Sequence, residues 1–164
     1  MPGEGSPDSR VMFIGEGPGR TEDELGRPFV GRAGQLLNDL LKEAGLVRED
    51  VFICNVMRCR PPRNRAPRKD EVKACISYLD RQIMAIQPKW VVTLGNHAAG
   101  YVFDRAGVEF DGITKMRGKF VRAEMLGLEV EVFPVFHPAA ALYNPAYVDV
   151  LKRDFRRLKK RIRG

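Results

Sequence analysis

Short apolar runs rich in β-branched residues recur at Val11–Gly15, Val51–Val56, Trp90–Gly95 and Val132–His137, separated by segments whose apolar residues repeat at helical spacing. Strands apolar on both faces and interleaved with helices predict an α/β fold, a three-layer α/β/α sandwich on a central, mainly parallel sheet of about four strands. Between the first two strands, Leu36, Leu37, Leu40, Leu41 and Ala44 make one apolar helix face, and Gly45-Leu46 reads as its C-terminal cap. A second helix starts after Pro67, carries Asp70 and Glu71 in its first turn, buries Val72, Ile76, Leu79, Ile83 and Ile86, and stops at Gln87-Pro88. Asn96 is placed to cap a third, short helix through Phe103, and Thr114 to Val132 reads as an irregular hairpin. A final helix puts Leu151, Phe155, Leu158 and Ile162 on one stripe. No repeat or linker interrupts the pattern, so residues 1–164 are expected to form one domain.

Apolar runs fall well short of the roughly 20 residues that span a bilayer, and Met1–Arg10 lacks the apolar centre of a signal peptide, so a cytoplasmic protein with no membrane contact is expected. Charge adds a location. The chain carries +7, yet from Val150 to Gly164 eight cations face Asp154 alone, so the whole excess sits on the final helix and the rest sums to zero. A second basic stretch holds Arg58, Arg60, Arg63, Arg65, Arg68, Lys69 and Lys73 against only Asp70 and Glu71. Both patches suit a polyanion, and on charge alone both also suit a solvated surface.

The predicted strands end in chemically suggestive turns. The first runs into Gly15-Glu16-Gly17-Pro18-Gly19, followed by Glu22. Glycines there let backbone approach a ligand beyond the carboxyl ends of the strands, or simply allow a tight turn. Their spacing matches neither the dinucleotide fingerprint nor a P-loop. Asn55 closes the second strand with a paired donor and acceptor suited to the edge of a pyrimidine or amide, or serves as a turn residue. His137, at the end of the last strand, can act as acid, base or donor to a developing anion, whereas His97 at a helix start is assigned no role. Phe29 lies between Gly and Pro punctuation, as a stacking platform or a plug.

Gly15 to Asp23 (GEGPGRTED), Gly26 to Gly31 (GRPFVG), Asn55 to Asn64 (NVMRCRPPRN), Thr93-Leu94-Gly95 and His137 to Leu142 (HPAAAL) occur in order. Together they resemble a family 4 uracil-DNA glycosylase, from about Pro2 through the final helix. The resemblance implies a glycosylase-like sandwich that flips uracil out of DNA and hydrolyses its N-glycosidic bond, leaving an abasic site for base-excision repair. By motif, Phe29 would stack on uracil, Asn55 would read its polar edge, and His137 would donate to the oxygen that gains charge as the base departs. The Glu16 to Gly19 loop would supply backbone amides and help place the attacking water. Gly15, Gly17 and Glu22 are expected to complete the pocket. Gly17 stands where better-known relatives carry a carboxylate and family 4 usually has alanine, which leaves Glu16 or Glu22 as the nearest carboxylate, either of them able to fix loop geometry instead; Glu16 is assigned the role of general base. Arg58, Arg60, Arg63 and Arg65 would face phosphates, and the Ala141, Leu142 and Tyr143 stretch would lie on the DNA, with Leu142 or Tyr143 filling the gap left by the base. The family also implies a prokaryotic, nucleoid-associated monomer, with a sliding clamp or other repair proteins as partners.

Cys54, inside an apolar strand, reads as a small buried hydrophobe. Cys59 and Cys75 match the last two of four cysteines that hold a 4Fe-4S cluster in that family. The first two belong to a Cys-x-x-Cys in a segment preceding Pro2-Gly3-Glu4-Gly5. Two thiolates do not hold such a cluster, so either the chain is truncated, the reading preferred because Cys59 and Cys75 keep the family spacing, or it dispenses with the cluster. The cluster's role would be structural. Two competing readings stand beside the glycosylase: a catalytically silent DNA-binding domain, which Gly17 favours, and a nucleotide hydrolase, disfavoured by the lack of a P-loop lysine.

Overall fold

Residues 2–57 and 68–164 are described by the computed structural model, apart from the side chains of Val72 and Ala74. Six strands among them form one sheet: β1 (Glu4–Gly5), β2 (Val11–Gly15), β3 (Phe52–Asn55), β4 (Trp90–Leu94), β5 (Val121–Met125) and β6 (Leu128–Val135), in the order β1-β3-β2-β4-β6-β5. The four central strands are parallel and correspond to the four apolar runs. The sheet exceeds the expected count because β1 and β5 add antiparallel edges. Neither edge carries a continuous apolar run: β1 has only two residues, and β5 alternates partly buried with exposed ones.

The hairpin expected over Thr114 to Val132 is narrower: Thr114 to Met116 belong to a short helix, and the hairpin is β5–β6, joined through Leu126 and Gly127, both at positive φ as a two-residue primed turn demands. Its second arm continues without a break into the last parallel strand. Pro134 is tolerated in that central strand because its carbonyl accepts from Gly118 N–H on the β5 side, beyond the end of the β5 ladder. The missing N–H points the same way and interrupts no pairing.

Seven α-helices cover the sheet among the described residues: α1 (Arg20–Leu25), α2 (Arg32–Glu43), α3 (Lys69–Ile86), α4 (Asn96–Arg105), α5 (Ile113–Met116), α6 (Pro138–Tyr143) and α7 (Ala146–Arg163). Alternation along the strands splits the core in two. Val11, Phe13, Ile53, Val92, Leu94 and Phe133 pack with α2, α6 and α7, while Met12, Ile14, Cys54, Val91 and Val132 pack with α3 and α4. This is the three-layer sandwich expected from strands apolar on both faces.

The α2 cap is as expected, with Gly45 at φ +68 and Leu46 N–H reaching back to Leu41 O. Helix α3 ends at Gln87, itself left-handed at φ +54, and of its expected core residues Leu79 and Ile83 are buried, Ile76 and Ile86 pack against them, and the Val72 side chain lies outside the described residues. The capping of α4 differs: Gly95, at φ +96, is the cap, and Asn96 turns its Oδ1 to Ile113 N–H. A Cβ at Gly95 would sit 3.0 Å from that of His137, so packing against the histidine fixes the glycine there.

Candidate active site

Strands β2, β3 and β6 deliver Gly15, Asn55 and His137 to one end of the sheet, and the loop between α1 and α2 lays Phe29 across them. A Cβ at Gly15 would lie 2.5 Å from Asn55 Oδ1 and 2.7 Å from Phe29 Cζ. The Phe29 and His137 rings stand 5.5 Å apart at 29°. Phe29, Asn55 and His137 thus meet around a glycine that has no room for a side chain. Gly15 does not need a positive φ, so Gly15→Ala should act through crowding alone. Turnover is expected to fall by roughly 100-fold, the scale of a ~1 Å misplacement, with little change in melting temperature; a parallel loss of both would show that the crowding is paid by the fold.

Asn55 is buried, and its Oδ1 has no hydrogen-bond partner among the described residues. An orphaned buried acceptor costs ~1–3 kcal/mol, which makes it a sign of a group held ready for a ligand donor.

His137 caps α6, and its Nδ1 accepts the Ala139 N–H at 3.0 Å. Accepting at Nδ1 leaves the proton of the neutral ring on Nε2, free to donate. Burial lowers the pKa from 6.5 to about 4, against a smaller upward pull from Glu22. The ring is therefore neutral across the physiological range. Turnover should show no inflection near 6.5 arising from this residue, read from single-turnover rates between pH 5 and 8. Because the folded pKa is depressed, the unfolded chain takes the proton first. Stability linked to His137 is complete above about 6.5 and declines as the pH falls toward about 4. His137→Gln should flatten that part of the melting profile, and a wild-type rate that titrates near 6.5 only when His137 is present would contradict the neutral ring.

Phe29 is a non-glycine residue at φ +49, a backbone state that costs ~1–3 kcal/mol and persists only where the surroundings impose it. Two features impose it. Gly34, buried on α2, admits the Phe29 carbonyl where a Cβ would lie 1.9 Å from the oxygen. Arg48 donates to the Pro28 and Phe29 carbonyls at 2.6 and 3.0 Å. Sequence reasoning singled out neither residue; a glycine inside an amphipathic helix was the available signal.

Of the two carboxylates expected here, Glu22 is bound up with the backbone. It accepts from Gly19 at 3.1 Å through one oxygen and from Val30 and Gly31 at 3.0 and 2.8 Å through the other, so it shapes the loop around Phe29. Glu16 lies partly exposed, with its Oε2 3.8 Å from His97 Nε2. His97 thereby gains a neighbour at the site's edge that the sequence did not suggest. Gly17 packs on Met57, 3.1 Å from a would-be Cβ to the Met57 Cβ.

Ala141 is buried in the core, Leu142 is partly exposed, and Tyr143 is 89% exposed. Arg58, Cys59, Arg60, Arg63 and Arg65 lie outside the described residues. Cys75 is free and half-buried on α3, and among the described residues no group of three or more His, Cys, Asp or Glu could hold a metal ion.

A family model for the uracil DNA glycosylase superfamily matches residues 2–160. The chain belongs to that superfamily. It is 52% identical to a type-4 uracil-DNA glycosylase of Sulfurisphaera tokodaii over 98% of this chain and 73% of the relative. A type-4 enzyme of Archaeoglobus fulgidus is 45% identical over 96% and 79%, and one of Thermotoga maritima 50% over 87% and 71%.

On this superfamily member the cation-rich end of α7 lies away from the site formed by Phe29, Asn55 and His137. Arg161 bonds Glu131, which pairs in register with Trp90, the first residue of β4, whereas the site lies beyond the strands' carboxyl ends. Several cations of α7 are already engaged: Arg156 with Glu43, Arg157 with the Gly118 carbonyl, and Arg161 also over the Phe120 ring. The helix's buried Asp154 takes Arg117 on both oxygens at 2.8 Å. Among the described residues, no helix is long and apolar enough to cross a membrane.

Proposed function

We propose that the chain hydrolyses the N-glycosidic bond of uracil in DNA, leaving an abasic site for base-excision repair. The observation that carries this reading is the buried, unpartnered Asn55 Oδ1 beside the Phe29 ring. Uracil offers that acceptor its N3–H, while the amide's other half donates to the adjacent carbonyl oxygen. Phe29 stacks on the flipped base. His137 donates from Nε2 to the carbonyl oxygen on which charge collects as the bond lengthens, so its help grows toward the transition state.

Departure of an anionic base leaves a cationic sugar that needs little nucleophilic activation, and Glu16 with the Glu16 to Gly19 backbone orients the water. Glu22, whose carboxylate is occupied by three amides, acts through the loop. At the DNA surface, Tyr143 and Leu142 fill the space vacated by the base, and the buried Ala141 supports them. Arg58, Arg60, Arg63 and Arg65 neutralise phosphates, which sets the salt dependence of binding. The protein works as a cytoplasmic monomer, with clamp or repair partners.

A 4Fe-4S cluster would draw on Cys59 and Cys75 and pin the arginine-rich stretch of the sequence to α3. Of these two, only Cys75 lies among the described residues, where no group of three or more His, Cys, Asp or Glu could hold a metal ion. Incubation with matched uracil- and thymine-containing oligonucleotides, followed by alkali, tests the reading: strand cleavage should require uracil. DNA binding without uracil-dependent cleavage would leave the silent DNA-binding domain in its place.

A further inference from the structure

We infer that Arg48 is a positioning residue for base capture, holding Phe29 in the left-handed backbone state that presents its ring to the pocket. The inference rests on the reading of Phe29 as the stacking platform. Arg48 stands on the short turn Arg48–Asp50 just before β3, remote in sequence from the loop it holds, and its side chain is 16% exposed. Its guanidinium is fully committed. Nη2 donates to Pro28 O at 2.6 Å, Nη1 to Phe29 O at 3.0 Å and to Asn38 Oδ1 at 2.8 Å, and Nε and Nη2 to Glu4 Oε1 at 3.1 and 3.0 Å.

The geometry is that of a clamp. The peptide linking Phe29 to Val30 is held on its carbonyl edge by Arg48 and on its amide edge by Glu22, which accepts from Val30 N–H at 3.0 Å. Gly34 leaves the space into which that carbonyl is pressed. The result is a non-glycine residue at φ +49 whose ring reaches Gly15 and stacks with His137. A planar fork can grip two successive carbonyls while a carboxylate fixes its other edge; a lysine ammonium cannot reproduce that set. Glu4, held by both Arg27 and Arg48, ties the clamp to edge strand β1.

The test compares Arg48→Ala, Arg48→Lys, Phe29→Ala and the double variant Arg48→Ala/Phe29→Ala by single-turnover excision of uracil across a range of enzyme concentrations, with melting temperature measured in parallel. Loss of the clamp should raise the half-saturating concentration by about tenfold or more, the scale of a lost base-stacking contact, with a smaller effect on the maximal rate. Arg48→Lys should fall between wild type and alanine. In the Phe29→Ala background, Arg48→Ala should add little, and millimolar guanidinium should partly restore Arg48→Ala but not the double variant.

A role in stability alone would lower the melting temperature and leave the two excision losses multiplicative, and that outcome overturns the inference. Should Arg48→Ala fail to fold, the same comparison is made with Arg48→Lys, whose losses must also vanish in the Phe29→Ala background. If Phe29→Ala excises normally, the stacking reading fails; if Phe29→Ala is impaired and Arg48→Ala and Arg48→Lys are not, only the clamp does.

Discussion

Replacing His137 with alanine is expected to slow uracil excision by about 10²–10³-fold while leaving DNA affinity nearly unchanged. The asymmetry follows from where the charge is. In the ground state the uracil carbonyl is neutral, and a hydrogen bond from a neutral imidazole adds little to binding. As the glycosidic bond stretches, the base becomes an anion, and a donor already aimed at it gains strength without any reorganisation. The structure keeps His137 in the form this requires, since Ala139 N–H occupies Nδ1 and burial holds the pKa to about 4. A protonated ring would attract the anion more strongly, but here protonation would cost the ring's low-dielectric surroundings and its cap on α6. Single-turnover rates and affinity for an uncleavable uracil duplex measure the two effects separately. Equal losses in both would move His137 from the chemistry to the binding of DNA.

The four parallel strands could be read from sequence because much of each is buried on both faces and so spells a short, mostly apolar run, as Val11–Gly15 and Trp90–Leu94 do. Edge strand β1 could not. Its two residues pair with Ile53 and Phe52 only because β3 offers an open edge, and that is a tertiary fact. Helix α1 was invisible for a related reason. It buries no residue and is held by Glu22 reaching back to Gly19, so no apolar stripe marks it.

The site divides in the same way. Asn55, Phe29 and His137 stood out because they sit at strand ends or between turn residues, and the fold brings them together around Gly15. Residues that act by holding others leave no such mark. Arg48 looked like one cation among many, and its value lies in two carbonyls about twenty residues earlier in the chain. The net charge left a polyanion partner and a solvated surface equally open, and the helix that carries the whole excess turns its basic end away from the site and engages part of it with Glu43, Glu131 and the Gly118 carbonyl.

Asn55→Leu should separate function from stability most sharply. Leucine nearly matches asparagine in shape but offers the base nothing, so two polar groups on the uracil edge would enter the pocket unpaired. At ~1–3 kcal/mol each, that predicts a loss of excision of roughly 10²–10⁴-fold, together with erosion of the preference for uracil over cytosine. The free protein should respond in the other direction. Its Asn55 Oδ1 is buried without a partner among the described residues, and removing an orphaned acceptor relieves a desolvation penalty. The melting temperature is therefore expected to hold or to rise by about 2–4 °C for each kcal/mol relieved. A substitution that stabilises the fold while abolishing turnover is the signature of a residue kept for its ligand. Near-normal excision by Asn55→Leu would remove Asn55 from base recognition, and a marked fall in melting temperature would mean that the amide is satisfied in the free protein and was never held in reserve for uracil.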